Sequence, residues 1–167
     1  MKSTDDLKAA FAGESQANRK YLAFAKKAAR DGYPNIANLF RAVAEAETVH
    51  AHNHLRVLGE IKSTVENLQA AIEGEHYEVN VMYKDFMADA QSEGHDKALR
   101  SFQWAWEVEQ IHEGMYQDAL KTLEAGSDIA EGTYWVCATC GHTHVGDAPP
   151  DECPVCGAKA SGYIKIA

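Results

Sequence analysis

The sequence predicts a mainly α protein: a bundle of four long amphipathic helices with metal ligands in its core, followed by a small metal-knuckle domain. Three observations predict it. Glutamates and histidines recur where the helical repeat calls for apolar core residues. Glycine and proline cut the stretch up to Gly126 into four long helical segments. All four cysteines lie beyond residue 136, in two Cys-x-x-Cys pairs.

The first helix is expected from near Thr4, where Asp5 and Asp6 favour the positive end of the dipole, to Asp31-Gly32, with the glycine suited to a left-handed C′ position. Its seam reads Leu7, Phe11, Glu14, Asn18, Tyr21, Ala25, Ala28. Pro34 suits the first turn of a second helix, which ends at Gly59 or Ile61. That seam reads Ile36, Phe40, Val43, Glu47, His50, His54, Val57, Ile61, stepping alternately by three and four. Ser63-Thr64-Val65-Glu66 is a capping box that opens a third helix. Its seam, Leu68, Ala71, Glu75, Glu78, Met82, Phe86, is expected to run as one helix to Gly94. The fourth helix is expected from His95 or Asp96 to Ala125, with Gly126 as its stop and the seam Leu99, Phe102, Trp106, Glu109, His112, Tyr116, Leu120, Leu123. Trp104 and Trp106 read as packing residues, and His52 and His54 as histidines without a metal role.

Seven chemically expensive side chains thus sit on apolar stripes: Glu14, Glu47, His50, Glu75, Glu78, Glu109 and His112. Residues three apart project from one face of a helix, so Glu47 pairs with His50 and Glu109 with His112. Glu75 and Glu78 would repel each other unless a cation lies between them. An unpaired charge on a buried stripe is too costly to keep. Two helices each giving Glu, and two giving Glu-x-x-His, form the di-iron or di-manganese constellation of ferritin-like bundles. Five carboxylates facing two divalent cations leave such a site near neutrality. Imidazole and carboxylate donors suit iron or manganese, and donor type alone does not exclude zinc.

After Gly126 the composition changes. Residues 1–126 are read as the bundle, 127–132 as a polar linker, and 133–167 as a separate small domain. Cys137-Ala138-Thr139-Cys140-Gly141 and Cys153-Pro154-Val155-Cys156-Gly157 are paired knuckles that point to one tetrahedral thiolate site. Spacing alone leaves zinc and iron open. About thirty-five residues cannot build a core unaided, so the metal should supply the folding energy. With four sulfurs filling that metal, His142 and His144 read as surface residues. The formal net charge of −9 makes nucleic acid and anionic membranes poor partners. No apolar run reaches about 18 residues, so no membrane span is expected. The polar start, Met1-Lys2-Ser3-Thr4, lacks a secretory apolar region. Cysteines paired for metal rather than disulfides fit a reducing cytoplasm.

Glu14, Glu47-x-x-His50, Glu75-x-x-Glu78, Glu109-x-x-His112 and the two knuckles, Cys-x-x-Cys-Gly and Cys-Pro-x-Cys-Gly, together resemble the rubrerythrins across the whole chain. No ligand departs from the family pattern. The visible departure is a very short connection between the second and third helices. The resemblance implies a ferritin-like di-iron bundle joined to a rubredoxin-like domain with one iron on Cys137, Cys140, Cys153 and Cys156. It implies a cytoplasmic peroxide reductase that turns hydrogen peroxide into water. Electrons would come ultimately from NAD(P)H, through a separate reductase or rubredoxin, with the four-cysteine iron as a one-electron relay. It further implies that Glu47 and Glu109 bridge the irons, Glu14 is terminal on one, and Glu75 and His112 are terminal on the other. Glu78 and His50 would exchange on the first iron with oxidation state, carboxylate suiting ferric iron and neutral imidazole suiting ferrous. Tyr21 and Tyr83 resemble tyrosines that hydrogen-bond ligands or peroxide, although plain packing is open for both. Two other functions stay open: a ferroxidase that sequesters iron as ferritins do, and a zinc-loaded structural protein.

The short connection has a geometric consequence. In ferritin-like bundles the second and third helices run parallel, so the chain between them must cross the bundle. Glu47 and Glu75 mark one metal level. From Glu47 to Glu60 the second helix descends about 20 Å, and from Thr64 to Glu75 the third climbs about 16 Å, so the crossing spans roughly 36 Å. Residues 60–64 reach only about 13 Å fully extended. A helix-swapped homodimer is therefore expected. Each site would take Glu14, Glu47 and His50 from one chain and Glu75, Glu78, Glu109 and His112 from the other, burying Val57, Leu58, Ile61 and Leu68.

Overall fold

The structure is a computed structural model that describes residues 1–166. The chain divides into two compact units, Met1–Lys62 and the chain from Ser63 onward. No helix among the described residues is long and apolar enough to cross a membrane.

The first unit is a helical hairpin of α1 (Lys2–Arg30) and α2 (Pro34–Leu58). Gly32, at φ +85°, makes the turn that a side chain would disfavour, and Pro34 opens α2 where its missing N–H is harmless. Ring contacts Tyr21–Phe40 and Phe24–Phe40, at 6.2 and 5.6 Å, together with Asn18 reaching Ala44 and Thr48, show the helices running antiparallel. The contact between them is made of alanines: Ala25 and Ala28 on α1, Ala37, Ala44 and Ala51 on α2, all buried. Small side chains let the backbones approach closely. The buried Asn18 is satisfied in that contact, donating to the Ala44 carbonyl at 2.7 Å and to Thr48 Oγ1 at 2.8 Å.

On α1 this face is the expected seam, with Asn18, Ala25 and Ala28 buried; on α2 it lies one residue along from the seam expected from periodicity. Ile36, Val43, Val57 and Ile61 stay exposed, Val57 by 71%. Helix α2 carries two apolar stripes, a narrow one of alanines and a broad one with the larger Ile36, Val43 and Val57. The alanines close the hairpin.

In the second unit, α3 (Thr64–Tyr77) starts on the capping box expected at Ser63 and Glu66. It does not continue as one regular helix. A π-helical turn, Glu78–Met82, widens the coil before α4 (Tyr83–Ser92) resumes it. Such turns add a residue to the repeat and turn side chains to a new bearing. Trp106 sits against the widened turn and donates its indole N–H to the Val79 carbonyl at 3.0 Å, so it does more than fill space. Helix α5 (Asp96–Glu124) packs antiparallel to α3 and α4, with Tyr83 and Phe86 against Phe102.

The rest of this unit is a three-stranded antiparallel sheet in the order β2-β1-β3, from β1 (Tyr134–Cys137), β2 (Thr143–Val145) and β3 (Tyr163–Ile166). Its core is the cysteines themselves: Cys137 and Cys153 with Tyr163, ringed by Trp135, Cys140, Val155, Cys156 and Ala158. His142, expected on the surface, is buried. Its Nδ1 lies 2.8 Å from the Tyr163 hydroxyl, which gives the imidazole the polar partner that burial requires.

Candidate metal centres

Four sulfurs converge in the sheet unit. Cys137 and Cys156 Sγ lie 3.6 Å apart, as do Cys140 and Cys153 Sγ, and all four cysteines are free. That spacing is far too long for a disulfide and near the edge of a tetrahedron drawn with metal–sulfur bonds of about 2.3 Å. Both knuckles turn through a glycine at positive φ, Gly141 at +88° and Gly157 at +75°. Gly141 and Gly157 N–H donate to the Cys137 and Cys153 carbonyls. Burial pushes the Cys140 and Cys156 thiols up. Burial acts the same way on Cys153, but the Tyr163 hydroxyl and backbone N–H groups outweigh it and bring that thiol to about 6. A bare cage therefore resists full ionisation, and four thiolates need a cation at its centre.

Six of the seven expected bundle ligands gather in two trios, each with donor atoms within 4.8 Å of one another. In the first unit the trio is Glu14, Glu47 and His50. His50 Nδ1 stands 3.0 Å from Glu47 Oε2 and 3.9 Å from Glu14 Oε1. The Asn18 contacts fix this register: Asn18 is one turn beyond Glu14, and its partner Thr48 follows Glu47. In the second unit the trio is Glu75, Glu109 and His112. His112 Nδ1 stands 2.6 Å from Glu109 Oε2, and His112 Nε2 lies 2.9 Å from Thr143 Oγ1 in strand β2. Glu78, at the start of the π turn, lies outside the trio but close enough to act on Glu75 and on Tyr83.

Burial and the neighbouring Glu109 push Glu75 up to about 7. Burial and Glu109 also raise Glu78, and burial and Glu78 raise the Tyr83 phenol. The hydrogen bond to Glu109 raises His112 against the opposing effect of burial. Each effect has one source: too many acceptors share a half-buried space, and a proton or metal ion must sit among them. The donors are carboxylate oxygens and imidazole nitrogens, which suit iron. Tyr21 packs beside Phe24 and Phe40, Tyr83 beside Phe86 and Phe102.

Sequence reasoning missed Asn18, Trp106, His142 and Thr143 as contributors. Asn18 stood on the seam and carried a signal, since a buried amide must find partners. Thr143 carried none, because its role depends on where a strand lands against a helix.

A family profile described as rubrerythrin matches residues 5–120, and one described as the rubredoxin-like domain of rubrerythrin matches residues 135–163. The chain belongs to the rubrerythrin family. Members of this family are di-iron oxidoreductases, and both donor groups in this rubrerythrin-family chain support iron as cofactor. The chain is 36% identical to Rubrerythrin-2 of Clostridium acetobutylicum, over 96% of this chain and 95% of that protein. It is 36% identical to Nigerythrin of Nitratidesulfovibrio vulgaris, over 91% of this chain and 80% of the other. Among solved structures it resembles nigerythrin in its fully reduced, all-ferrous state, with a TM-score of 0.57 and 33% identity, covering 98% of this chain and 86% of that one.

Proposed function

We propose that this rubrerythrin-family chain reduces hydrogen peroxide to water at a bundle di-iron centre, with electrons relayed one at a time by its four-cysteine site. Balanced, peroxide takes up two electrons and two protons and yields two waters. Iron bound in the bundle supplies the redox equivalents. The observation that carries this reading is the presence of both donor sets on one chain. A sulfur cage suited to one-electron relay accompanies the carboxylate–imidazole set, and iron storage needs no such feed. Glu14, Glu47, His50, Glu75, Glu78, Glu109 and His112 are the assigned bundle ligands, and Cys137, Cys140, Cys153 and Cys156 the relay ligands. Tyr21 and Tyr83 are assigned to hydrogen-bonding the ligands or peroxide. Bundle 1–126, linker 127–132 and relay domain 133–167 are the functional divisions of this reading. Rubredoxin or an NAD(P)H-dependent reductase in the cytoplasm is the proposed donor.

The bundle centre is further proposed to be shared between two chains. Each unit holds one trio, and a di-iron centre needs both. Residues 59–63 between α2 and α3 extend to at most about 18 Å, short of the roughly 36 Å that a crossing along the bundle requires. The broad apolar stripe of the hairpin, with Ile36, Val43, Val57 and Ile61 exposed, offers a second copy of this chain a face to cover. Fully burying one such side chain is worth about 1.5–3 kcal/mol.

The functional test is anaerobic stopped-flow oxidation of the fully reduced, iron-loaded protein. Peroxide is expected to reoxidise both chromophores much faster than oxygen does. Equal rates with the two oxidants would favour a ferroxidase instead. Absence of iron–thiolate absorption after reconstitution with iron would favour a zinc-loaded structural protein.

A further inference from the structure

We propose that Thr143, a residue of the relay domain, is a positioning residue of the bundle centre: its hydroxyl oxygen accepts the His112 Nε2–H and so keeps Nδ1 turned toward Glu109, where a bundle metal would bind. The proposal rests on the di-iron reading for its purpose, but its geometry is independent of it.

Thr143 Oγ1 has one proton and two lone pairs. It lies 3.2 Å from the Gly141 carbonyl, which can only accept, so the threonine proton goes there. What remains for His112 Nε2, 2.9 Å away, is a lone pair. Nε2 must therefore carry a hydrogen. In the neutral ring Nδ1 is then bare, 2.6 Å from Glu109 Oε2 and within the trio that includes Glu75. Two lone-pair bearers that close repel unless a cation stands between them: without metal it is a proton on Nδ1, which makes the hydrogen bond to Glu109, and a metal ion bound there takes that proton's place. Histidine ligands are oriented in this way by whatever accepts their far N–H.

The cysteine knuckle places the hydroxyl. Thr143 pairs with Val136 in the sheet, and Val136 precedes Cys137. Cys137 N–H donates to the His142 carbonyl, and Gly141 N–H to the Cys137 carbonyl. Gly141 faces Val108, which is buried and immediately precedes Glu109. Thr143 thus depends on the cage being closed, and it touches α5 at the Glu109-x-x-His112 motif. It also closes a hydrogen-bonded route from Cys140 through the Gly141 carbonyl and the Thr143 hydroxyl to the His112 ring. Filling the cage and orienting the bundle histidine become linked events.

The test compares Thr143→Val, which keeps the shape and loses the hydroxyl, with Thr143→Ser, which restores it, in the full chain. The first readout is hydrogen exchange and the nitrogen shifts of the His112 ring by NMR, with zinc in the cysteine cage alone. Wild type and Thr143→Ser should show a protected Nε2–H, and Thr143→Val should exchange it at least about tenfold faster. The second readout, on iron-loaded protein, is the rate at which an electron placed on the cage reaches the bundle. A drop on the order of 10–100-fold in Thr143→Val, recovered in Thr143→Ser, is expected, in line with what partners of metal-bound histidines contribute. The visible spectrum of the cage should be unchanged in all three. A protected Nε2–H in Thr143→Val overturns the proposal, and so does an electron-transfer rate within about twofold of wild type. If wild type binds no bundle iron, the di-iron reading fails, and the exchange measurement alone still decides Thr143.

Discussion

The two Glu-x-x-His motifs share their spacing and differ in their surroundings. His50 is 54% exposed, and among the described residues its Nε2 has no hydrogen-bond partner. His112 is 26% exposed and is held on both sides, by Glu109 at Nδ1 and by Thr143 at Nε2. An imidazole tethered at one nitrogen can swing about its side-chain torsions at little cost. One held at both nitrogens loses a hydrogen bond when it moves, worth about 0.5–1.5 kcal/mol. The proposed division of labour, in which His50 exchanges with Glu78 while His112 stays bound, calls for such a difference. One motif can thus be set in two ways, and the neighbours decide which.

The largest effect that sharpens this comparison comes from the cage on which His112 depends. Cys153→Ser is expected to abolish the iron–thiolate absorption and electron delivery to the bundle. A chemically reduced bundle should still be oxidised by peroxide. Retention of reductase-driven turnover in this variant would break the relay assignment.

Next come the two histidines. His112→Ala is expected to lower bundle iron affinity by on the order of 10–100-fold or more, since it removes a fixed ligand. His50→Ala should slow peroxide oxidation more than it weakens iron binding. Metal analysis after dialysis, paired with single-turnover kinetics, separates the two. Equal loss of iron from both variants would erase the distinction.

A pH effect follows from the second trio. Unfolded, Glu75 titrates near the ordinary carboxylate value; folded without bundle metal, it titrates at about 7. Between those values the folded state holds the extra proton, so stability is greatest at low pH and falls as pH rises through about 7. His112 is raised too, and its contribution is likewise lost as pH rises through its folded value. With metal only in the cage, denaturant midpoints should therefore be higher near about pH 5 than near about pH 8. Iron in the bundle should reverse the trend, because protons compete with metal for the carboxylates. A metal-free bundle that gains stability toward alkaline pH would contradict the crowding described for Glu75, Glu78 and Glu109.

The smallest effects concern the struts behind each trio. Asn18→Leu removes two hydrogen bonds and Trp106→Phe one, at an expected cost of about 0.5–1.5 kcal/mol for each bond lost. Chemical denaturation followed by helical circular dichroism would measure both. Asn18→Leu should also loosen the register between Glu14 and Glu47, whereas Trp106→Phe should act on the Glu78 turn.

Much of this was legible in the sequence. Helix ends announced themselves through Gly32, Pro34, the Ser63 capping box and Gly94, because each solves a local backbone problem. The ligands stood out because a charge on an apolar stripe demands a reason. The π turn was not legible: Glu75, Glu78, Met82 and Phe86 keep a regular spacing, and its partner Trp106 is distant in sequence. Nor was the α2 side of the alanine contact, since alanine fits any helix face and periodicity favoured the larger Ile36 and Val43; its α1 side, Ala25 and Ala28, lay on the expected seam. His142 looked like a surface residue until Tyr163, from the far end of the domain, supplied its partner.

The pairing of the two halves is tested most directly by mixing two disabled chains. One carries Glu47→Ala and His50→Ala, which empties the hairpin half. The other carries Glu109→Ala and His112→Ala, which empties the second half. If each centre draws one half from each chain, a mixed dimer has one centre built from both intact halves and one built from both disabled halves. Unfolding and refolding the two together with iron should restore peroxide-oxidisable bundle iron to about half the native level per mixed dimer, as the swap geometry requires, while each variant alone stays inactive. Mixtures no more active than their parents, in dimers shown to contain both chains, would contradict a shared centre.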